Sequence, residues 1–336
     1  MKNLTIILFL SLSILSCRDT FFEEEPINEP EEIFEDMWNT FDTDYAVFEE
    51  RGIDWQDEYN NFRPLVTSRT SQEELYTIFT QLLGKLNDGH VSLVAPNKKV
   101  FNSNSYFDQN KRDGLFNMSI IKSNYLKGNF IEEFEGHNIY GKIDDIGYWH
   151  MKFITENLEN TDAILNYMED TKGLIIDLRN NQGGDMTYSF TSFGRLTEIE
   201  RPTHRSKTKN GPGENDFTPW YDWNLYPETP YFDKPIVMIT DRYTISAGER
   251  TTMILKTLPN VIHIGDTTNG SLSTKIGKEL ANGWYYSVSP QKIEFIDGRS
   301  YEGIGLIPDV YVKNTLEEIA SGQDRTLELA IAEFME

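Results

Sequence analysis

The chain holds one cysteine in 336 residues, Cys17. A lone thiol excludes an intramolecular disulfide framework and any metal centre built from several thiolates. Basic residues are scarce as well: 31 Lys and Arg stand against 54 Asp and Glu, a formal charge of -23. Nucleic-acid binding needs basic patches against phosphate, so this acidic excess argues against such a partner. The sequence also lacks a metal-ligand cluster and a phosphate loop of the expected spacing, and no metal or other cofactor is expected. Long apolar runs are missing too. The stretch Leu4 to Leu15 spans twelve residues, too short to cross a bilayer as a helix.

That stretch follows Lys2 and closes at Ser16-Cys17, which is the pattern of a secretory signal over residues 1–16. Ile14, Leu15, Ser16 and Cys17 resemble a bacterial lipobox, and the resemblance implies cleavage before Cys17 and lipidation of its thiol. Residues 17–29 then form an acidic tether. Seven acidic residues fall between positions 18 and 32 with little apolar content to bury. The cluster Glu23, Glu24, Glu25 resembles the export signals of Bacteroidetes surface lipoproteins. The expected location is the cell envelope, as an outer-membrane lipoprotein facing the periplasm or the surface, with the membrane as a partner through the anchor.

Residues 30–87 read as a helical cap. Ile33, Met37, Trp38 and Phe41 share one face, Trp55, Tyr59 and Phe62 mark a second short helix, and a third starts at Thr70 or Ser71 and buries Leu75, Ile78, Phe79, Leu82, Leu83 and Leu86. Its start carries Glu at the capping-box position, Glu73 or Glu74. Asn87-Asp88-Gly89 is a turn that delivers His90 to the head of a strand, Val91 to Val94. There the imidazole either faces a cleft or is a hydrogen-bonded structural histidine. Residues 96–135 are polar and irregular, and too few to hold a PDZ domain.

From residue 88 to 336 strands and helices alternate, an α/β core. Ile146 to Phe153 and Gly173 to Leu178 read as strands, and Thr161 to Met168 as a helix. The second strand runs into Arg179, Asn180, Asn181, Gln182, Gly183, Gly184; paired glycines after a buried strand either let backbone amides approach a ligand or make a tight turn. Residues 199–232, with Trp220, Tyr221, Trp223 and Tyr226, read as a polar and aromatic excursion, a lid or a wall. Trp284 to Val288 and Lys292 to Ile296 look like a hairpin, and one last helix is expected from Leu316 to Phe334.

The rest is organised around Ile236 to Glu249. Ile236 to Ile239 is a buried parallel strand, and a helical pattern follows Gly248, so Ser246 falls at a strand-to-helix turn. Two readings stand: Ser246 is an N-cap completed by Glu249, or it is a nucleophile facing the free amides of the first helical turn.

Four separated segments settle which to pursue. LNDGHVSL (86–93), GLIIDLRNNQGG (173–184), TDRYTISAGE (240–249) with VIHIGDTTNGSLS (261–273), and EGIGLIPD (302–309) together resemble the S41 peptidases, the family of C-terminal processing peptidases and the tricorn protease core. The resemblance implies a ClpP/crotonase-like ββα-superhelix core behind the helical cap, without a PDZ domain. It further implies a serine peptidase acting on peptide or protein. The position where the C-terminal processing branch carries its lysine is Ser271, whereas the histidine of the tricorn-like branch is kept as His90. The expected catalytic set is therefore Ser246 as nucleophile, His90 as base and Glu302 as the acidic partner, with the backbone amides of Ala247 and Gly184 as oxyanion hole. A non-catalytic ligand- or peptide-binding module on the same fold is the alternative, and an esterase would use the same residues.

Overall fold

The three apolar stretches before residue 90 each form a helix. α1 (Pro30–Asp44) opens on a proline, whose fixed φ suits a first turn, and buries Ile33, Phe34, Met37 and Phe41. α2 (Trp55–Phe62) is capped by Asp54, which accepts the Asp57 amide. α3 (Gln72–Gly84) starts at Ser71: its hydroxyl accepts the Glu74 amide while Glu74 accepts the Ser71 amide. The computed structural model describes residues 27–107 and 113–335. The signal segment, Cys17 and most of the tether lie outside the described residues.

The strands, in chain order, are β1 (Ser92–Val94), β2 (Phe101–Asn102), β3 (Phe130–Glu133), β4 (Asn138–Ile143), β5 (Ile146–Met151), β6 (Leu174–Asp177), β7 (Arg201–Thr208), β8 (Tyr221–Leu225), β9 (Ile236–Thr240), β10 (Val261–Gly265), β11 (Ile276–Glu279), β12 (Tyr285–Val288), β13 (Gln291–Phe295) and β14 (Val310–Tyr311). Helices α4 (Thr161–Tyr167), α5 (Thr187–Phe193), α6 (Ala247–Lys256), α7 (Leu316–Ala320) and α8 (Arg325–Ala332) lie between and after them.

A seven-stranded sheet, in the order β14-β10-β9-β6-β5-β4-β3, forms the core. Its pairs from β14 to β5 are parallel, and β4 and β3 complete it antiparallel. Parallel strands covered on both faces need apolar residues at every position, which is why GLIID and IVMIT are continuous rather than alternating. The pleat splits them: Ile176 and Met238 pack with Ile254 and Leu255 of α6, whereas Ile175, Val237 and Ile239 pack with Leu327 and Ala330 of α8. Between β1 and β3 the described residues hold only β2 and short helical turns, so no PDZ domain intervenes.

The cap helices do not close a core alone. Phe34, Met37, Phe79 and Leu82 share one apolar cluster with Leu93 of β1 and with Trp284, Tyr286 and Val288 from far down the chain. Those strands belong to a four-stranded sheet, β11-β12-β1-β2, that lies under the helices.

Two expectations are corrected, and a third segment gains detail: within residues 199–232 β7 and β8 pair antiparallel and β13 joins β7, a three-stranded sheet in which Arg205 and Lys207 lie over the Trp220 ring. The expected hairpin is absent because β12 pairs with β1 and β11, whereas β13 pairs with β7. The chain changes sheets at Pro290, which has no amide to donate and whose carbonyl takes the Lys209 amide. The last helix is two, broken where Gly322 takes φ +84 and Asp324 accepts the Leu327 amide to cap α8.

Candidate active site

β6 and β9 are neighbours, with Asp177 opposite Ile239, so the loops after them leave the same edge of the sheet. In open parallel sheets that edge is where ligands bind. The β6 loop is anchored at its root by buried charge. Arg179 donates from Nη2 and Nε to Asp177 and from Nη1 to Asp324 at 2.8 Å. Burial alone would raise the Asp177 pKa, but Arg179 outweighs it and holds the carboxyl below its ordinary range. Farther on, Asn181 accepts the Gly183 amide at 2.9 Å and donates to the Met151 carbonyl at 2.8 Å.

Both glycines that follow are required. Gly184 has φ +140, and a Cβ there would lie 2.0 Å from the Ile154 carbonyl oxygen. A Cβ on Gly183 would lie 2.7 Å from the Ser246 Cβ and 3.3 Å from its hydroxyl. The glycine loop is therefore pressed directly against the serine.

Ser246 sits at φ 60, ψ -121, a conformation that costs a residue with a side chain on the order of 1–3 kcal/mol and persists only where its surroundings enforce it. Here they do. The Ser246 amide donates to the Ser271 carbonyl and to Glu249, each at 3.2 Å, and the Ile245 amide to the Asn181 carbonyl at 3.1 Å. Buried Glu249 also accepts from the Thr268 hydroxyl and the amides of Gly270 and Ser271. Burial pushes its pKa up, and those bonds oppose the rise. Glu249 thus ties the loop after β10 to the start of α6. Ser246 stands at the N-cap position and Glu249 at the capping-box position, its carboxylate accepting the Ser246 amide, so the serine that caps α6 is also the one whose side chain lines the cleft.

The backbone beside it supplies two donors. Ile154 takes both neighbours of the Gly184 amide into its bridge, donating to the Gly183 carbonyl and accepting from Asp185. Among the described residues neither the Gly184 nor the Ala247 amide has a partner. Both residues line, with Ser246, Arg250 and Lys275, a cleft of roughly 330 Å³. Ala247 is buried and Gly184 faces the cleft from its exposed side, and two such free amides beside a hydroxyl suit an oxygen that becomes negative.

His90 lies behind this edge, 5% exposed. The Gly89 amide donates to the Ser271 hydroxyl at 2.9 Å, and a Cβ on Gly89 would meet Ile245 at 2.5 Å, so the Asp-Gly-His turn packs on the residue before Ser246. The imidazole makes no hydrogen bond to Ser246 or Glu302, and its Nδ1 is buried without a partner. Burial lowers its pKa to about 4, against the pull of Asp88. The ring is neutral at pH 7.

Glu302 is engaged elsewhere. Its Oε1 accepts from Arg51 at 2.6 Å and its Oε2 from the amides of Leu272 and Ser273. Burial raises its pKa in spite of Arg51. The carboxylate bonded to the histidine's own backbone is Asp88, which accepts the His90 amide, the Tyr45 hydroxyl and the Ser289 hydroxyl while fully buried. In the sequence Asp88 is only a turn residue and Arg51 one cation in an acidic stretch, with no local signal to single out either. Lys275 stands beyond the family motif in the sequence, yet it lines the cleft with Nζ 3.3 Å from the Ser92 hydroxyl. Lys278 points away, to Asp44. Ser271, at the family's lysine position, is buried and donates to Asn269. No group of three or more His, Cys, Asp or Glu suited to a metal occurs among the described residues.

Comparison with known proteins identifies the family. The family model for peptidase family S41 matches residues 145–312, and that for the tricorn protease C1 domain matches residues 26–84. A crystal structure of a candidate peptidase from Parabacteroides merdae is 28% identical and superposes with a TM-score of 0.83 over 92% of this chain and 98% of that one. Mature CPAF bound to lactacystin, 12% identical, shares the fold with a TM-score of 0.68 over 91% and 97% of the two chains. The nisin-resistance protein of Lactococcus lactis is 22% identical over 173 residues, 48% of this chain and 54% of that protein, so the match spans about half of that relative's length.

Proposed function

The chain belongs to peptidase family S41 and is a serine-type peptidase, and from that premise we propose that Ser246 is its nucleophile, His90 its general base, and the Gly184 and Ala247 amides its oxyanion hole. The observation that carries the reading is the pair of partnerless amides beside the Ser246 hydroxyl, on two loops that leave one edge of the sheet. The Ser246 oxygen attacks the scissile carbonyl carbon as its proton passes to a ring nitrogen of His90. The carbonyl oxygen becomes negative and takes hydrogen bonds from the two amides. Collapse breaks the C–N bond, and the imidazolium returns the proton to the departing amine. Water repeats the sequence on the acyl-serine, releasing the acid and the free hydroxyl. Apo sites often hold such groups apart until substrate tightens them, which fits the missing Ser246 to His90 hydrogen bond. Glu302 acts indirectly in this reading, since its carboxylate is bonded to Arg51 and two amides.

The test is cleavage of a mixed peptide library, read by mass spectrometry, by the parent and by Ser246→Ala and His90→Ala. Cleavage that both substitutions abolish supports the assignment. Cleavage that survives Ser246→Ala sinks it.

The same proposal includes a lipid anchor at Cys17 and a cell-envelope location, supported by the lipobox-like run and the acidic tether. No helix among the described residues is long and apolar enough to cross a membrane. Incorporation of a labelled fatty acid that Cys17→Ser removes is the expected result. Equal incorporation by the variant would refute the anchor.

A further inference from the structure

Arg51 reaches from the turn after α1 into the catalytic edge of the core. Its side chain is 4% exposed. Nη1 donates to the Asn87 carbonyl at 2.6 Å, Nη2 to the Gly270 carbonyl at 2.8 Å and to Glu302 Oε1 at 2.6 Å, and Nε lies 3.6 Å from Asp88. The acceptors belong to three segments distant in sequence. One is the turn that carries His90. The second is the loop whose Ser271 carbonyl takes the Ser246 amide. The third carries Glu302 and is tied back to the second by the Gly303 amide on the Gly270 carbonyl.

Resting on the Ser246 and His90 assignment, we propose that Arg51 is a positioning residue: the guanidinium supplied by the helical cap sets the spacing of the His90 turn against the Ser246 loop, so catalysis requires the docked cap. Two features demand an arginine. The acceptors lie in different directions around one planar group, a pattern a lysine's point charge does not match. Asp88 and Glu302 are both fully buried and share this cation; the other groups that Asp88 bonds, Tyr45, Ser289 and the His90 amide, are neutral. Without Arg51, Asp88 and Glu302 lose the cation that joins them between the segments that must hold together, and only the more distant Lys275 and Arg250 still face them.

Arg51 does not line the cleft beside Ser246. Its loss therefore acts on turnover rather than on substrate affinity. The charged groups around His90 are Asp88, Arg51, Lys275 and Arg250, so removing one of the three cations also raises the imidazole's pKa.

The experiment compares steady-state kinetics of the parent, Arg51→Gln and Arg51→Lys on a peptide the parent cleaves, with thermal unfolding as the folding control and Ser246→Ala alongside. For Arg51→Gln the expected result is a kcat about a hundredfold lower, as for a misplacement of about 1 Å, with KM within about twofold and the acid limb of kcat/KM moved to higher pH. Arg51→Lys returns the charge without the fork, so the limb goes back toward its parental position while kcat stays low. Folded variants with parental kcat and parental acid limb overturn the proposal. If Arg51→Gln does not fold, Arg51→Lys decides by its kcat alone. Cleavage that persists in Ser246→Ala refutes the nucleophile assignment, whereas Ser246-dependent cleavage indifferent to Arg51 refutes only the clamp.

Discussion

Gly184→Ala is the sharpest probe of the oxyanion hole. The added Cβ would lie 2.0 Å from the Ile154 carbonyl oxygen and 2.8 Å from its carbon, at a residue whose φ of +140 already disfavours any side chain. The obstruction is backbone, in the middle of the bridge that joins Ile154 to Gly184, so no rotamer change relieves it. The loop has to retreat by roughly 1 Å or more, which stretches a hydrogen bond from the Gly184 amide beyond its useful range. Loss of one oxyanion donor costs about a hundred- to a thousandfold in kcat, about 3–4 kcal/mol. The assay is kcat on a cleaved peptide, with thermal unfolding to separate a displaced loop from a lost fold. Stability should fall as well, by on the order of 1–3 kcal/mol, because a bridge is broken and a strained φ is imposed. A folded Gly184→Ala protein with kcat within a few fold of the parent would refute the assignment, since the amide could not have kept its place.

Three further outcomes follow from the geometry. The acid limb of kcat/KM should lie near pH 4 rather than near 6.5, because burial lowers the His90 pKa and the neutral ring is the competent base above it; a limb at 6.5 in a pH–rate profile would contradict this. The same group makes stability fall as pH drops from 6.5 toward 4, where the unfolded chain binds the proton and the folded one does not; His90→Gln should flatten that part of the denaturation profile. Asp324→Ala strips one of two carboxylates from the buried Arg179 and uncaps α8, and chemical denaturation should show a loss of about 3–5 kcal/mol, with a loss under 1 kcal/mol contradicting the buried pairing.

Much of the fold was readable in the sequence because the relevant forces act along the chain. GLIID and IVMIT announce strands buried on both faces, as found, and Thr70 or Ser71 with Glu three residues on announces a helix start, which the structure places at Ser71 with Glu74. The lysine-free motif loop, with Ser271 in place of lysine, directs attention to the Asp-Gly-His turn, and in the structure that turn packs on Ile245. Pairing across distance was not readable. Trp284 to Val288 and Lys292 to Ile296 have the look of a hairpin, yet each strand has a better partner elsewhere, and nothing within ten residues records it. The expected link from Glu302 to His90 has the same weakness, since a carboxylate in a motif does not reveal which cation will reach it first.

What the sequence determined by itself is therefore the parts: an acidic chain with one cysteine, buried parallel strands, a serine at a strand-to-helix turn and two glycines that free a backbone. Tertiary structure alone decided that Arg51, Asp88 and Lys275 join them and that the cap shares its core with β1 and β12. The division has a physical cause. Backbone conformation and apolar periodicity are set by neighbours in the chain, whereas burying a charge requires a partner that only folding can bring within hydrogen-bond reach.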